Sequence, residues 1–130
     1  MSLFSNIFQK NTTPEKPNFP WISIQDLGVL QDLNHLSLEK PIFIFKHSTR
    51  CSISRFALKQ FENDALSKSE DCRFYFLDLI SYRNVSNAIA ERFNVIHQSP
   101  QLIVLWKNHV VYSASHSEID FENAISEVIK

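Results

Sequence analysis

The chain of 130 residues contains a single glycine, Gly28. So sparse a supply excludes the glycine-rich loops that cradle phosphates, both the dinucleotide fingerprint and the P-loop, whose backbones reach their ligands only where side chains are missing. Nucleotide chemistry is therefore not expected. An excess of either charge is also absent, since 13 Lys and Arg face 14 Asp and Glu for a formal net charge of −1. No basic field recommends a nucleic acid or an anionic membrane as partner. Missing too are an apolar run long enough to span a bilayer and a basic N-terminal segment leading into a long apolar stretch, so the cytoplasm is the expected location. Cysteine is scarce, with only Cys51 and Cys72, and neither these nor the five histidines stand at CxxC or HxxxH spacing. No metal site is expected from that set, and in a reducing cytosol both cysteines are expected as free thiols.

Phenylalanine is abundant, at 11 residues, and the length suits one domain with a sizeable core. Residues 1–20 read as an arm and linker. Leu3, Phe4, Ile7 and Phe8 share one face of a short helix, and a polar stretch with three prolines follows. Residues 21–130 read as one domain. Trp21 to Ile24 predicts a short strand, and Leu27, Leu30 and Leu33 predict a helix over about 25–35. A β-rich apolar run at 42–46 precedes an amphipathic helix reaching about Leu66, with Ile53, Phe56, Ala57, Gln60 and Phe61 largely on one face. The aromatic run 73–79 suits a parallel strand covered on both faces. A helix over about 84–93 carries Val85, Ile89 and Phe93 in a stripe, with Asn94 as its C-terminal cap. Ser99-Pro100 then breaks the pattern before a strand at 101–106, a tight turn at Lys107-Asn108 and a strand at 110–114, which together predict an antiparallel hairpin. The last helix, about 119–129, has Ser117 or Asp120 as cap and Phe121, Ile125 and Val128 or Ile129 as its buried side. The class is α/β, a mixed central β-sheet flanked by helices, and the element order is that of a thioredoxin-like fold.

Chemistry points to Lys46-His47-Ser48-Thr49-Arg50-Cys51-Ser52-Ile53-Ser54, where a buried strand gives way to a helix. A thiol at that junction meets the unpaired N–H groups and positive dipole end of the helix, with Lys46, His47, Arg50 and Arg55 near in sequence, so its thiolate is favoured. Ser54 occupies the position at which a dithiol site would carry a second cysteine, so Cys51 can attack and hold an adduct but cannot close a local disulfide. His47 and His97 are proton carriers or local positive charges, or equally hydrogen-bonded structural histidines. Cys72, at a strand start beside Asp71 and Arg73, reads as a partly buried structural thiol, with a distal resolving cysteine as the lesser alternative.

The chain resembles the monothiol bacilliredoxins of the bacillithiol system, which are thioredoxin-like, from about Trp21 to the C-terminus. The resemblance is carried by Phe45-Lys46-His47-Ser48-Thr49-Arg50-Cys51 with Ile53-Ser54, by Arg83 with Val85-Ser86-Asn87, by Val95-Ile96-His97-Gln98-Ser99-Pro100-Gln101, and by Ser115-His116. Ser52 departs from the pattern, because members of that family usually have proline after the cysteine. The resemblance implies thiol–disulfide exchange on protein mixed disulfides of a low-molecular-weight thiol, with Cys51 as the essential sulfur. No tightly bound cofactor is implied, and the thiol, bacillithiol or an equivalent, is a co-substrate. Partners are then S-thiolated client proteins and that thiol, with the protein expected as a monomer. The resemblance further implies a cis Pro100 facing the cysteine, with the Ser99 backbone as the edge that pairs with substrate. Lys46, His47, Arg50, Ser54, His97, Ser99 and Pro100 are accordingly the expected substrate- and thiol-binding set. A second reading stays open, a thioredoxin-fold binding module that traps a thiol or client without efficient turnover. Iron–sulfur carriage as in monothiol glutaredoxins is weaker, since Cys51-Ser52-Ile53-Ser54 lacks the glycine and phenylalanine of those loops.

Overall fold

A computed structural model describes residues 19–130. The expected helix over Met1–Phe8 and nearly all of the arm lie outside the described residues. Five strands, β1 (Trp21–Ser23), β2 (Ile42–His47), β3 (Arg73–Asp78), β4 (Gln101–Trp106) and β5 (His109–Ser115), form one sheet in the order β1-β3-β2-β4-β5. Four α-helices interleave them: α1 (Gly28–Leu36), α2 (Ser52–Ala65), α3 (Arg83–Arg92) and α4 (Phe121–Ile129). β3 runs parallel to both β1 and β2, whereas β4 is antiparallel to β2 and to β5. The sheet is therefore mixed, with the hairpin added to the β2-α2-β3 crossover at the β2 edge. Several boundaries differ slightly from the sequence reading. The segment after α2 continues as a 3-10 turn, Leu66–Lys68, where a polar turn is predicted, and β5 is longer than predicted.

Strand alternation divides the core by chemistry. In β2, Ile42 and Ile44 point to the face that holds Leu30, Leu33, Val85 and Ile89 of α1 and α3, while Phe43 and Phe45 point to the face of α2 and α4. Tyr75 and Leu77 of β3 and Ile103 and Leu105 of β4 join the first face; Phe74, Leu102 and Val104 join the second. One face is largely aliphatic. The other holds an aromatic cluster in which Phe61 stacks near Phe43, Phe45, Phe74 and Phe121 at centroid separations of 5.7–6.0 Å. Offset and edge-on pairs in this range add to the burial of their area. Packing on that face begins at Phe19, whose ring lies 4.9 Å from Phe74, and Trp21 Nε1 donates to Glu62 Oε2 of α2 at 2.7 Å.

The hairpin turn takes positive φ at both central residues, 52° at Lys107 and 70° at Asn108, the hand that matches strand twist. Ser37, buried at the end of α1, holds it in place: its carbonyl accepts from Lys107 N and its Oγ accepts from Asn108 N, both at 2.9 Å. Asn94 has φ 54° just beyond α3, as expected for a helix C-terminus. Asp120 caps α4 by accepting from Glu122 N at 3.0 Å, and Ser117 instead lies in the 3-10 turn His116–Glu118.

Two predicted faces need correction. Leu27 precedes α1 and is exposed, so Leu30 and Leu33 carry that face into the core, with Val29 and Leu36 packed against it. On α2, Ile53 and Phe56 are 58 % and 78 % exposed, and the inward stripe runs Ser54, Ala57 and Leu58, Phe61 and Ala65. That stripe keeps helical spacing but is rotated by about one residue from the apolar pattern. The cause is Ser54, a polar residue whose inward position is satisfied by hydrogen bonds. On α4, Phe121 is buried and Ile125 and Val128 pack against the aromatic core as expected, and Ile129, the alternative to Val128, is exposed.

Phe61→Ala should destabilise the protein by about 3–5 kcal/mol through the cavity left in the aromatic cluster, whereas Phe56→Ala should stay within about 0.5 kcal/mol. Urea unfolding of the two variants measures the contrast. Equal losses would mean that Phe56 is packed in solution.

Candidate functional site

The pleat of β2 continues past the core into two polar residues. Lys46 falls on the aliphatic face and His47 on the aromatic face, so consecutive side chains enter separate environments. Lys46 is fully enclosed, and its Nζ lies 2.9 Å from Nδ1 of His97 in the loop between α3 and β4; Ser86 Oγ of α3 lies 3.3 Å from the same nitrogen. Burial, with Arg83 adding repulsion, lowers the Lys46 pKa to about 8. His97 is also held below its ordinary value, first by burial and then by the Lys46 and Arg83 charges.

His47 is buried on the other face. Its Nδ1 lies 2.7 Å from Ser54 Oγ, and the same oxygen accepts from Ser48 N at 3.1 Å. The Ser54 hydroxyl therefore accepts the Ser48 N–H while sharing a hydrogen bond with His47 Nδ1 whose direction follows the imidazole tautomer. Burial lowers the His47 pKa, which favours the neutral imidazole, against a smaller raising effect of Asp78. Ser54 thereby ties the first turn of α2 to the end of β2 and fixes the path of the loop between them.

Cys51 sits at the end of that loop. It is half-buried, has extended backbone (φ −113°, ψ 121°) and is the N-cap residue of α2; its carbonyl accepts from Arg55 N at 3.1 Å, and its own N–H donates to Ser48 O at 3.2 Å. No side chain caps α2. The free N–H groups of its first turn therefore remain available to negative charge at the cysteine. Arg50 and Arg55 are exposed beside it, and Arg55 Nη1 donates to Thr49 O at 3.3 Å.

The opposing loop reaches the same end of the sheet, because Gln101 pairs with Lys46 in the β2–β4 register. Pro100, buried just before Gln101, follows a cis peptide bond from half-buried Ser99. The Pro100 carbonyl accepts from His116 N at 3.1 Å. Gln101 is a positioning residue missing from the expected set: its buried side chain donates Nε2–H to Ile96 O at 2.9 Å and accepts from Gln98 N at 3.4 Å, holding the loop ahead of the proline. Ser86 is a second. A polar residue opening an otherwise apolar strand was the available signal for Gln101.

Of the expected set, then, His47, Ser54 and Cys51 are linked through one loop, and Lys46 and His97 form a separate pair on the other face. Lys46 has no accessible surface, so it is not available for direct contact with a bound group. Cys72 is buried and lies one residue before Arg73, which pairs with Ile42 at the far end of β2. Burial, reinforced by Asp71, raises its pKa to about 11, which keeps it a thiol at neutral pH.

Sheet order, helix placement and a cysteine at a strand-to-helix junction, at the same end of the sheet as a cis-proline, define a thioredoxin-fold protein. Solved structures agree. A protein described as a candidate oxidoreductase with a thioredoxin fold matches with a TM-score of 0.73 and 26 % identity, covering 83 % of this chain and 93 % of its own. Thioredoxin from Malassezia sympodialis matches with 0.68 and 13 % identity over 92 % of this chain and 99 % of its own, and reduced Schistosoma mansoni thioredoxin with 0.64 and 20 % identity over 83 % and 97 %. Within this fold, residues 22–124 match the family described as monothiol bacilliredoxin BrxC, and the chain belongs to that family. Its activity is accordingly of the thiol–disulfide redox class.

Two predictions follow from the polar pairs. Ser54→Ala should cost about 1–3 kcal/mol in urea unfolding, since it strands both Ser48 N–H and His47 Nδ1; an unchanged midpoint would remove the tether. For Lys46, the folded pKa lies below the unfolded one, so the unfolded chain binds more protons between them and stability should rise from about pH 8 towards pH 10.5. Lys46→Met should flatten that rise and stabilise the protein near neutrality by about 1–3 kcal/mol, within the 1.36 kcal/mol per pH unit that linkage allows. Urea midpoints at pH 7 and pH 10 check both statements.

Proposed function

We propose that the protein is a monothiol oxidoreductase that removes a low-molecular-weight thiol, bacillithiol or an equivalent, from S-thiolated client proteins through an adduct on Cys51. The Cys51 thiolate attacks the sulfur of the small thiol in the mixed disulfide, that disulfide breaks, and the client leaves as its thiolate. A second molecule of small thiol, as thiolate, then attacks the adduct at the small-thiol sulfur, releasing a small disulfide and restoring Cys51. The two electrons that reduce the client come from the small thiol. His47, Ser54, Arg50, His97, Ser99 and Pro100 shape the space in which this happens, with Lys46 beneath it. The cytoplasm supplies the reducing thiol pool that this cycle requires, and monomeric action suffices for it.

The observation that carries the reading is the placement of the two sulfurs. Cys51 caps α2 at one end of the sheet, while Cys72 is buried at the other and held as a thiol. With Ser54 in the resolving position, the adduct must be resolved from outside. The binding-module reading shares the adduct and differs in turnover.

Cys51→Ser should abolish release of bacillithiol from a capped model protein, and Cys72→Ser should retain most of the wild-type rate. Intact mass after reaction with the capped protein should show one small-thiol adduct on Cys51. An adduct that forms without turnover in excess bacillithiol would support the binding module, and equal loss in both variants, with both folded, would indicate a two-cysteine cycle.

A further inference from the structure

We propose that the outer face of α2 beside Cys51 is a docking surface for client segments that carry acidic and apolar residues around the capped cysteine. The inference rests on the proposed exchange on client proteins and names the chemistry of those clients. Phe56 is the one exposed aromatic residue among the described residues, and it stands with exposed Ile53 on the first two turns of the helix that Cys51 caps. Nothing in the core needs either side chain, because the inward stripe of α2 is carried by Ser54, Phe61 and Ala65. Phe56, Ile53 and Gln60 also border a groove closed on its other side by His116 and Ile119.

Charge selects the occupant. From Thr49 to Phe61 the chain carries Arg50, Arg55 and Lys59 and no carboxylate, in a protein whose net charge is −1. All three cations are exposed, and Arg55 and Lys59 border the surface around Ile53 and Phe56. An exposed aromatic set among cations suits a partner that presents carboxylates around an apolar side chain, while a basic partner is repelled. Reach is adequate. Cys51 and Phe56 are about 7.5 Å apart along the helix axis, the span of two to three residues of an extended client. A small thiol on Cys51 covers little of so open a face, so the surface acts on polypeptides.

The test uses the full chain and two synthetic peptides that differ only around a bacillithiol-capped cysteine, one with Asp, Glu and Leu, the other with Lys replacing the acids. The wild type should favour the acidic peptide in kcat/KM, more strongly at low salt. Phe56→Ser should lower kcat/KM for the acidic peptide roughly tenfold, as loss of an interface aromatic does. Lys59→Glu should erase roughly threefold of the preference. The rate of Cys51 with 2,2′-dithiodipyridine serves as the small-disulfide control and should not change. Equal use of both peptides by the wild type, or no effect of Phe56→Ser, would overturn the proposal.

Binding of uncapped peptides, with serine for cysteine, to the Cys51→Ser protein reads docking without chemistry. Preference there without turnover would keep the docking surface and defeat the exchange reading, whereas turnover without preference would do the reverse. A dimer in sedimentation that Phe56→Ser dissolves would assign the face to a second copy and overturn the proposal. So would tighter peptide binding after joint Leu3→Ser, Phe4→Ser, Ile7→Ser and Phe8→Ser, which would assign it to the N-terminal arm.

Discussion

The pleat of β2 is the constraint on which the rest depends. A strand in the middle of a sheet covered on both faces sends alternate side chains to opposite layers. Over Ile42 to Phe45 this sorts isoleucine to α1 and α3 and phenylalanine to α2 and α4. The same alternation continues without interruption into Lys46 and His47, where the core ends and the site begins. Lys46 therefore has to find its partner in the α3–β4 loop, and His47 in α2. A slip of one residue would reverse the two cores and break both polar pairs together, so the strand register and the site are specified by one set of contacts.

The two pairs differ in energetic character. His47, Ser54 and Ser48 form a closed set in which neutral groups satisfy one another, an arrangement that contributes rigidity at modest cost. Lys46 is an ammonium group in an enclosed position with a histidine for partner and no carboxylate beside it, so its solvation is poorly replaced. Such a residue works against stability near neutral pH. Its neighbour Arg83 adds repulsion to the cost of burial, so positive charge is concentrated at the end of the sheet where the α3–β4 loop and the cis-proline meet β2. Against this, the surface contributes little: one ion pair among the described residues, Lys130 with Glu127 at 3.3 Å, is exposed on both sides.

Much of this was legible in the chain because the signals are local. Hydrophobic runs at 42–46, 73–79 and 101–106, the Lys107-Asn108 turn and the Asn94 cap gave element order and hence sheet type. The cysteine at the start of α2 was visible for the same reason, as a change of period from two to 3.6. The face of α2 was not. Hydropathy counts Ser54 as outward and Phe56 as inward, and only the contact with His47, which strand register places beneath the helix, turns that assignment round. Which neighbour a buried polar residue finds is a tertiary fact: Lys46 with His97 spans 51 positions, and Gln101 turns back on its own loop to reach Ile96.

Strand geometry also keeps the two cysteines from pairing with each other. The six residues of β2 advance about 3.3 Å each, so its two ends stand about 16 Å apart. Cys51 follows one end, and Cys72 precedes the β3 residue paired with the other. A disulfide needs Cα atoms within about 7 Å, so these sulfurs could meet only if the sheet came apart. At the near position, Ser54 is committed to holding His47 and the Ser48 backbone. A cysteine there would offer a weaker donor and a longer reach to the same partners, so a local resolving thiol and the present tether compete for one site. Monothiol character is thus built into the packing of α2 on β2, and the need for an external thiol in the proposed cycle follows from it.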